Sequence, residues 1–188
     1  ETHKSKILKI TNFLKSNNTD YLFVSAPENI AWLLNIRGYD NPNSPIPNAR
    51  LIIDKNKKFF LITQKENVKK IIIEKKIKKN QIVNIEDLPN LINKLKGRNF
   101  IIDSKTCSIF YENIIKLKFN ILDKDDPIYK LKSIKNSHEI NHMIKSHKKD
   151  GLALTRFIYW IKNINKKIIT EVDAQNKLEK FRKLNKNY

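Results

Sequence analysis

The residues that most clearly suggest a chemical reaction are His138-Glu-Ile-Asn-His142, a literal H-E-x-x-H pattern. On a helix, histidines at i and i+4 share one face and can bind zinc, while the glutamate acts as general base on the zinc-bound water. A catalytic zinc site also needs a third protein ligand. The extended motif would supply glycine and histidine where this chain has Lys145 and Lys148. Because lysines repel a dication, we favour an exposed helix face that carries histidines over a self-contained zinc peptidase.

Other reactive groups and phosphate-binding patterns are sparse. Cys107 is the only cysteine, which excludes a disulfide framework and a thiolate zinc finger and fits a reducing compartment. It opens a predicted helix, where a thiol can be acidified, although a lone cysteine in such a place more often packs in the core. The three glycines are isolated, so no glycine-rich phosphate loop is present. No apolar run approaches the roughly 20 residues of a membrane-spanning helix.

Positive charge dominates the composition, with 38 Lys and Arg residues against 19 acidic ones and a formal net charge of +19. Such a charge is typical of proteins that bind nucleic acid or anionic membranes. However, only five of these residues are Arg, the side chain that forks onto phosphate and guanine. The charge is also spread along the chain without interleaved aromatic residues. We therefore attribute it mainly to a genome rich in A/T codons, keep a functional basic surface as the alternative, and expect no specific nucleic-acid partner and no membrane partner.

Hydrophobic periodicity indicates alternating helices and strands over residues 4–122. The predicted helices are Lys4–Leu14, Glu28–Asn35, Glu66–Lys76, Leu88–Leu95 and Ser108–Leu117. The predicted strands are Tyr21–Ser25, Arg50–Asp54, Lys58–Thr63, Gln81–Ile85, Asn99–Asp103 and Phe119–Leu122, the second and third of which form a hairpin. This alternation predicts an α/β domain whose sheet is covered by helices.

The pattern changes after residue 122. The acidic stretch Asp123–Pro127 breaks the periodicity and is interpreted as a linker. A long helix is predicted from Asn136 to about Asn163, interrupted by Gly151 at a modest propensity cost. Thr170 is predicted to cap a second amphipathic helix that runs through Leu184. Because no strand signal follows residue 122, these helices indicate the beginning of a separate unit.

Two motifs resemble a known family. The segment Asn29-Ile-Ala-Trp-Leu-Leu-Asn-Ile-Arg-Gly-Tyr-Asp40, followed by a proline-bearing loop and a strand, resembles the middle domain of three-domain Xaa-Pro aminopeptidases (aminopeptidase P). The segment from Lys132 to Leu154 resembles the approach to the catalytic domain of that family, K-x-x-x-E-x-x-x-M/I-x-x-A-H-x-x-D-G-x-A-L. In that alignment, Glu139 and His147 fall on family positions, Ser146 replaces the usual alanine, and the H-E-x-x-H match is incidental.

The resemblance implies a fold and a domain division. Residues 1–126 are expected to form a creatinase N-terminal-like (ribonuclease H-like) α/β middle domain with a mixed sheet covered by helices. Residues 127–135 are expected to form a linker, and residues 136–188 the opening helices of an incomplete pita-bread metallopeptidase domain. We interpret the chain as a piece of a longer protein.

The resemblance also implies the activity of the parent protein. Family members release the N-terminal residue that precedes proline, with two metal ions, usually manganese, held by two Asp, one His and two Glu. Those ligands lie downstream of the matched segment, so we expect no metal site and no catalytic residue in this chain. The parent is expected to be a cytoplasmic homodimer that acts on peptides with proline at the second position. A creatinase-like binding module without catalysis is the alternative.

The resemblance places the candidate site residues in the loop after the first motif. In relatives, this loop lies near an active-site mouth or a subunit contact, which makes Arg37, Tyr39 and Asp40 the candidates for a substrate-side or interface role. By its chemistry, Arg37 can fork onto a peptide carboxylate. It can also pair with Asp40 and pin the loop, which is the interpretation we favour.

Overall fold

A computed structural model describes residues 1–38, 40, 41, 44–64, 68, 77–164 and 168–185 of the chain. The chain divides into two compact units, Glu1–Ser133 and Ile134–Tyr188.

The first unit is built around a mixed sheet. Its strands are β1 Tyr21–Val24, β2 Arg50–Asp54, β3 Phe59–Ile62, β4 Ile82–Val83, β5 Asn99–Ile102 and β6 Asn120–Asp123, in the spatial order β4-β3-β2-β1-β5-β6. β1 is antiparallel to β2 and parallel to β5, β2 and β3 form the predicted hairpin, and β6 is parallel to β5. The helices described in this unit are α1 His3–Ser16, α2 Pro27–Leu34, α3 Leu88–Lys94, α4 Ile109–Lys116 and α5 Pro127–Ser133.

Both faces of the sheet are buried, which explains why its strands are continuous apolar runs. On β1, Leu22 and Val24 point into a core shared with α1, α2 and α5, while Tyr21 and Phe23 point into a second core shared with α3 and α4. The same alternation continues on the neighbouring strands. The α/β class and the mixed sheet covered by helices are therefore confirmed.

The structure differs from the predicted elements at two places. The predicted strand Gln81–Ile85 contracts to β4, because single 3-10 turns at Lys79–Gln81 and Ile85–Asp87 flank it. Residues 127–133 are not a linker but the helix α5, which belongs to the first unit. The predicted helix Glu66–Lys76 lies outside the described residues, apart from the buried Val68.

The helix α5 begins at Asp126-Pro127 because both residues suit a helix start. Proline is tolerated in the first turn, where its missing N–H has no partner to lose. The buried Asp126 carboxylate accepts the backbone N–H of Ile128 at 2.9 Å, which satisfies one of the unpaired donors of that turn. The acidic stretch is thus a helix-initiating signal rather than a flexible connection.

Asp126 also centres a buried polar network that joins α2, α5 and the end of β5. Its carboxylate accepts the Asn29 amide at 2.8 Å, and its own N–H donates to Asp103 at 2.9 Å. The Lys132 ammonium donates to the side-chain amide oxygen of Asn29, Oδ1, at 2.7 Å. Burial raises the pKa of the Asp126 carboxyl, while the hydrogen bonds from Asn29 and Ile128 favour the ionised form.

In the described part of the second unit, residues 134–164 and 168–185, the helices are α6 Ser137–Lys162 and α7 Glu171–Lys183. Thr170 caps α7 by accepting the Asp173 N–H, and the Asp173 carboxylate accepts the Thr170 N–H in return, which confirms the predicted cap. The helices are joined by a bond from Arg182 Nε to the Asp150 carboxylate at 2.7 Å, and Ala153 is buried.

Replacing Asp126 with alanine should destabilise the first unit. The change leaves the Asn29 amide and the Ile128 N–H without an acceptor in the interior, and each buried unpaired donor costs roughly 1–3 kcal/mol. We expect the free energy of unfolding, measured by urea denaturation, to fall by about 2 kcal/mol or more.

The adjacent carboxylate provides the matched control. Asp125 forms a surface ion pair with Lys105 at 2.7 Å, and 78% of its side chain is exposed. Asp125→Ala should leave the urea midpoint unchanged, since exposed pairs contribute little. An equal loss in both variants would contradict the buried role assigned to Asp126.

Candidate functional site

The candidate loop begins at the end of α2, and the sequence explains why the helix ends there. Asn35 adopts a left-handed conformation with φ of 54°, a geometry that asparagine tolerates better than most residues. Ile36 is buried, so it ties the chain to the core immediately before Arg37. Arg37 is exposed.

Lys6 on α1 holds the carboxyl end of α2 in place. Although it is a lysine, its side chain is buried, with Nζ 2.6 Å from the Trp32 carbonyl oxygen and 2.7 Å from the Asn35 side-chain oxygen. The same ammonium lies 4.1 Å from the centroid of the Trp32 ring, which adds a cation–π contact. Trp32 is half-buried beneath this lysine, so its ring is a structural contact.

The loop folds tightly back on its own proline segment. The Gly38 N–H donates to the Pro45 carbonyl at 3.1 Å, and the Asp40 carboxylate accepts the Asn48 N–H at 2.6 Å. Asp40 is exposed, and the structure records no ion pair between it and Arg37 among the described residues. The predicted pinning of the loop is thus achieved through the Asn48 backbone, and Arg37 is not used for it. Tyr39 lies outside the described residues.

The H-E-x-x-H segment lies at the start of α6. Glu139 is the third helical residue and forms a capping box, in which its carboxylate accepts the Asn136 N–H at 2.9 Å while the Asn136 side chain accepts the Glu139 N–H at 3.0 Å. A glutamate held in this way serves the helix terminus. Across the part of the chain that the structure describes, no group of three or more His, Cys, Asp and Glu side chains is placed to hold a metal ion.

The remaining reactive group, Cys107, is half-buried just before α4. Burial raises the pKa of its thiol above the ordinary value, although Ser25 lies close enough to oppose the shift. The thiolate is the nucleophilic form, so burial disfavours the form of Cys107 that would react. None of the helices among the described residues is both long and apolar enough to cross a membrane.

The sequence motifs include Asn29 and Lys132, but sequence reasoning did not assign a role in positioning the loop to them or to Lys6 and Asp126. One signal was available, because Asp followed by Pro is a common helix start. Lys6 offered no comparable signal in a chain with lysines throughout.

Comparison with known proteins identifies similar chains. Residues 1–139 match the family model described as the creatinase/prolidase N-terminal domain. The Xaa-Pro aminopeptidase ApepP of Drosophila melanogaster is 30% identical over 181 residues, which cover 93% of this chain and 29% of that protein. Aminopeptidase P2 of Arabidopsis thaliana is 26% identical over 218 residues, which cover 96% of this chain and 30% of that protein. The chain thus spans about 30% of the length of these curated relatives.

Solved structures give the same result at the level of fold. The X-prolyl aminopeptidase of Caenorhabditis elegans, described as a cytosolic enzyme with a di-nuclear active site, superposes with a TM-score of 0.83 and 21% identity over 100% of this chain and 32% of that one. The Xaa-Pro dipeptidase of Bacillus anthracis superposes with a TM-score of 0.69 and 16% sequence identity over 97% of this chain and 49% of that one.

Replacing Gly38 with alanine should strain the candidate loop. A Cβ there would collide with Pro47 Cα, lie 2.7 Å from Pro47 N and lie 3.0 Å from the Ile46 carbonyl carbon, all of which are backbone atoms that cannot swing aside. We expect the free energy of unfolding, measured in urea, to fall by about 1–3 kcal/mol, the usual cost of overpacking.

Gly151 serves as the matched control for this substitution. It lies within α6, and a Cβ there would meet nothing within 4 Å. Gly151→Ala should raise stability by about 0.5–1 kcal/mol, because alanine is the better helix former. If both substitutions stabilise the chain, Gly38 does not make the close approach described above.

Proposed function

We propose, since the chain belongs to the creatinase/prolidase N-terminal domain family, that it forms a non-catalytic portion of a metal-dependent Xaa-Pro aminopeptidase. The observation that carries this proposal is the match across essentially the whole chain to relatives named Xaa-Pro aminopeptidases. The superposition with the C. elegans enzyme supports the assigned fold.

The proposed parent enzyme hydrolyses the peptide bond between an N-terminal residue and a following proline. Two divalent metal ions, which we propose to be manganese, would supply an activated water, and their ligands would lie downstream of this chain. The di-nuclear site of the C. elegans enzyme supports two metals. The chain itself would bind, orient or shield the substrate rather than cleave it. A cytoplasmic location follows by analogy with that cytosolic enzyme.

The surface of α6 supports the assignment of the second unit to the opening of a pita-bread domain. In the half of α6 that lies alongside α7, the more buried residues are Ala153, Phe157 and Trp160. A separate apolar stripe follows helical spacing with each side chain 39–48% exposed: Ile140, Met143, Ile144, Leu154, Ile158 and Ile161. Apolar surface of this extent favours burial against further structure, which we propose to be the remainder of the same catalytic domain.

Arg37 is the residue we propose for the substrate-side or subunit-contact role, together with Asp40 and Tyr39. Arg37 is an exposed residue, and the chain beside it is fixed by the buried Ile36 and by the Gly38–Pro45 hydrogen bond. An arginine presented on a fixed backbone can bind a carboxylate with two parallel hydrogen bonds. A peptide C-terminus or an acidic side chain of a second subunit, in a homodimer, would fit it.

The proposed activity can be tested with the protein at the full length of its relatives. That protein, supplied with Mn²⁺, should release the N-terminal residue from a peptide with proline at the second position and leave the matched alanine peptide intact, as measured by chromatography of the products. The 188-residue chain should release nothing from either. Absence of cleavage by the metal-loaded full-length protein would favour a binding module without catalysis.

Arg37→Ala in the full-length enzyme should impair substrate use or assembly while metal content stays unchanged. We expect KM to rise about tenfold if a charge-assisted hydrogen bond to the substrate is lost, or a shift towards monomer in sedimentation if the contact is between subunits. Arg98→Ala, at another exposed arginine of the first unit, is the control and should change neither. Unchanged kinetics and unchanged oligomer size for Arg37→Ala would remove Arg37 from the site.

A further inference from the structure

His138 and His142 lie one helical turn apart near the start of α6. Their ring centroids are 5.3 Å apart and their planes differ by 29°. Both side chains are exposed, so rotation about their side-chain torsions can direct one nitrogen of each ring towards a shared point. We propose that these two residues, here called the histidine clamp, bind one divalent transition metal ion of the copper, nickel and zinc class, with water completing its coordination.

The choice of metal follows from the ligands. Imidazole nitrogen suits copper, nickel and zinc, whereas manganese prefers carboxylate, carbonyl and water oxygens. At a site with few ligands and no imposed geometry, affinity follows the order Mn²⁺ < Co²⁺ < Ni²⁺ < Cu²⁺ > Zn²⁺. The clamp therefore selects Cu²⁺ most strongly and does not hold Mn²⁺. This proposal is independent of the proposed aminopeptidase activity.

The surroundings make the clamp a binding site rather than a hydrolytic centre. Glu139 faces the Asn136 N–H in the capping box, so it is not directed at a metal-bound water. The described residues also offer no cluster of three or more ligating side chains. Two histidines without a third protein ligand differ from the catalytic zinc sites of peptidases.

The electrostatic environment weakens the clamp but does not abolish it. Lys145 and Lys149 follow His142 by three and seven residues, which places them on the same side of the helix. Both are exposed, so their repulsion of a dication acts through water and is screened by salt. The repulsion by these two lysines prevents the weak binding of Mn²⁺ to imidazole. The stronger copper–imidazole bonds form in spite of it.

The test is isothermal titration of the 188-residue chain with CuCl₂ and, separately, with MnCl₂. All proteins carry His3→Ala, so that His3 near the start of the chain adds no second copper site. We expect one Cu²⁺ per chain and no heat of binding with Mn²⁺. His138→Ala and His142→Ala should each weaken Cu²⁺ binding about tenfold or more. Either change removes one of the two protein ligands, which the helix holds near the ion at high effective concentration.

His147 supplies a matched control on the same helix. It is exposed like the clamp residues, but it lies about 140° around the helix from His142 and about 180° from His138. His147→Ala should leave the Cu²⁺ affinity unchanged, and circular dichroism should show the same helix content for all variants. Equal weakening by His147→Ala, or copper affinity that survives either clamp substitution within twofold, would overturn the proposal.

Discussion

The hydrogen bond between Asn29 and Asp126 is the interaction on which the first unit depends. It joins residues 97 positions apart, one on the helix that leaves β1 and the other at the start of α5. Asp126 is in turn connected to Asp103 at the end of β5. A single buried carboxylate therefore fixes two helices against the same end of the sheet. Since a buried charge is costly unless its hydrogen bonds are satisfied, any rearrangement of α2 would leave this group short of partners.

This network also positions the candidate loop, because α2 is held at both ends. Asn29 anchors its first turn, and the Lys6 ammonium binds the Trp32 carbonyl and Asn35 at its last turn. The loop that starts at Ile36 thus departs from a fixed point in a fixed direction. Functional side chains act best when the elements beneath them are rigid. The first-motif residues Asn29, Trp32 and Asn35 have structural partners, whereas Arg37 is left exposed at the surface.

Local signals in the sequence were sufficient for most of the fold. The hairpin, the cap at Thr170 and both long helices of the second unit follow from periodicity and capping rules, and the structure has them at the predicted places. The role of Asp126 could not be obtained in this way, since a carboxylate is buried only when distant partners meet it, and no periodic pattern records those partners.

The candidate loop was likewise predictable only in part. The tight approach of Gly38 to Pro47 and the bond from Asn48 to Asp40 depend on the folded loop, while the position of the loop at the end of α2 was evident from the motif.

The lysine excess has a structural component that the composition alone does not suggest. Lys6 donates to the Trp32 carbonyl in the last turn of α2, and the Lys118 ammonium donates to the Leu95 carbonyl at 2.7 Å just beyond α3. Lysine suits this task because its long stem reaches the unpaired carbonyls and its charge complements the negative end of the helix dipole. Lys132 instead completes the buried network around Asn29. Of these three lysines, Lys6 is buried and Lys132 is half-buried, whereas Lys118 stays exposed. Part of the lysine excess therefore stabilises the fold rather than adding to the positive surface.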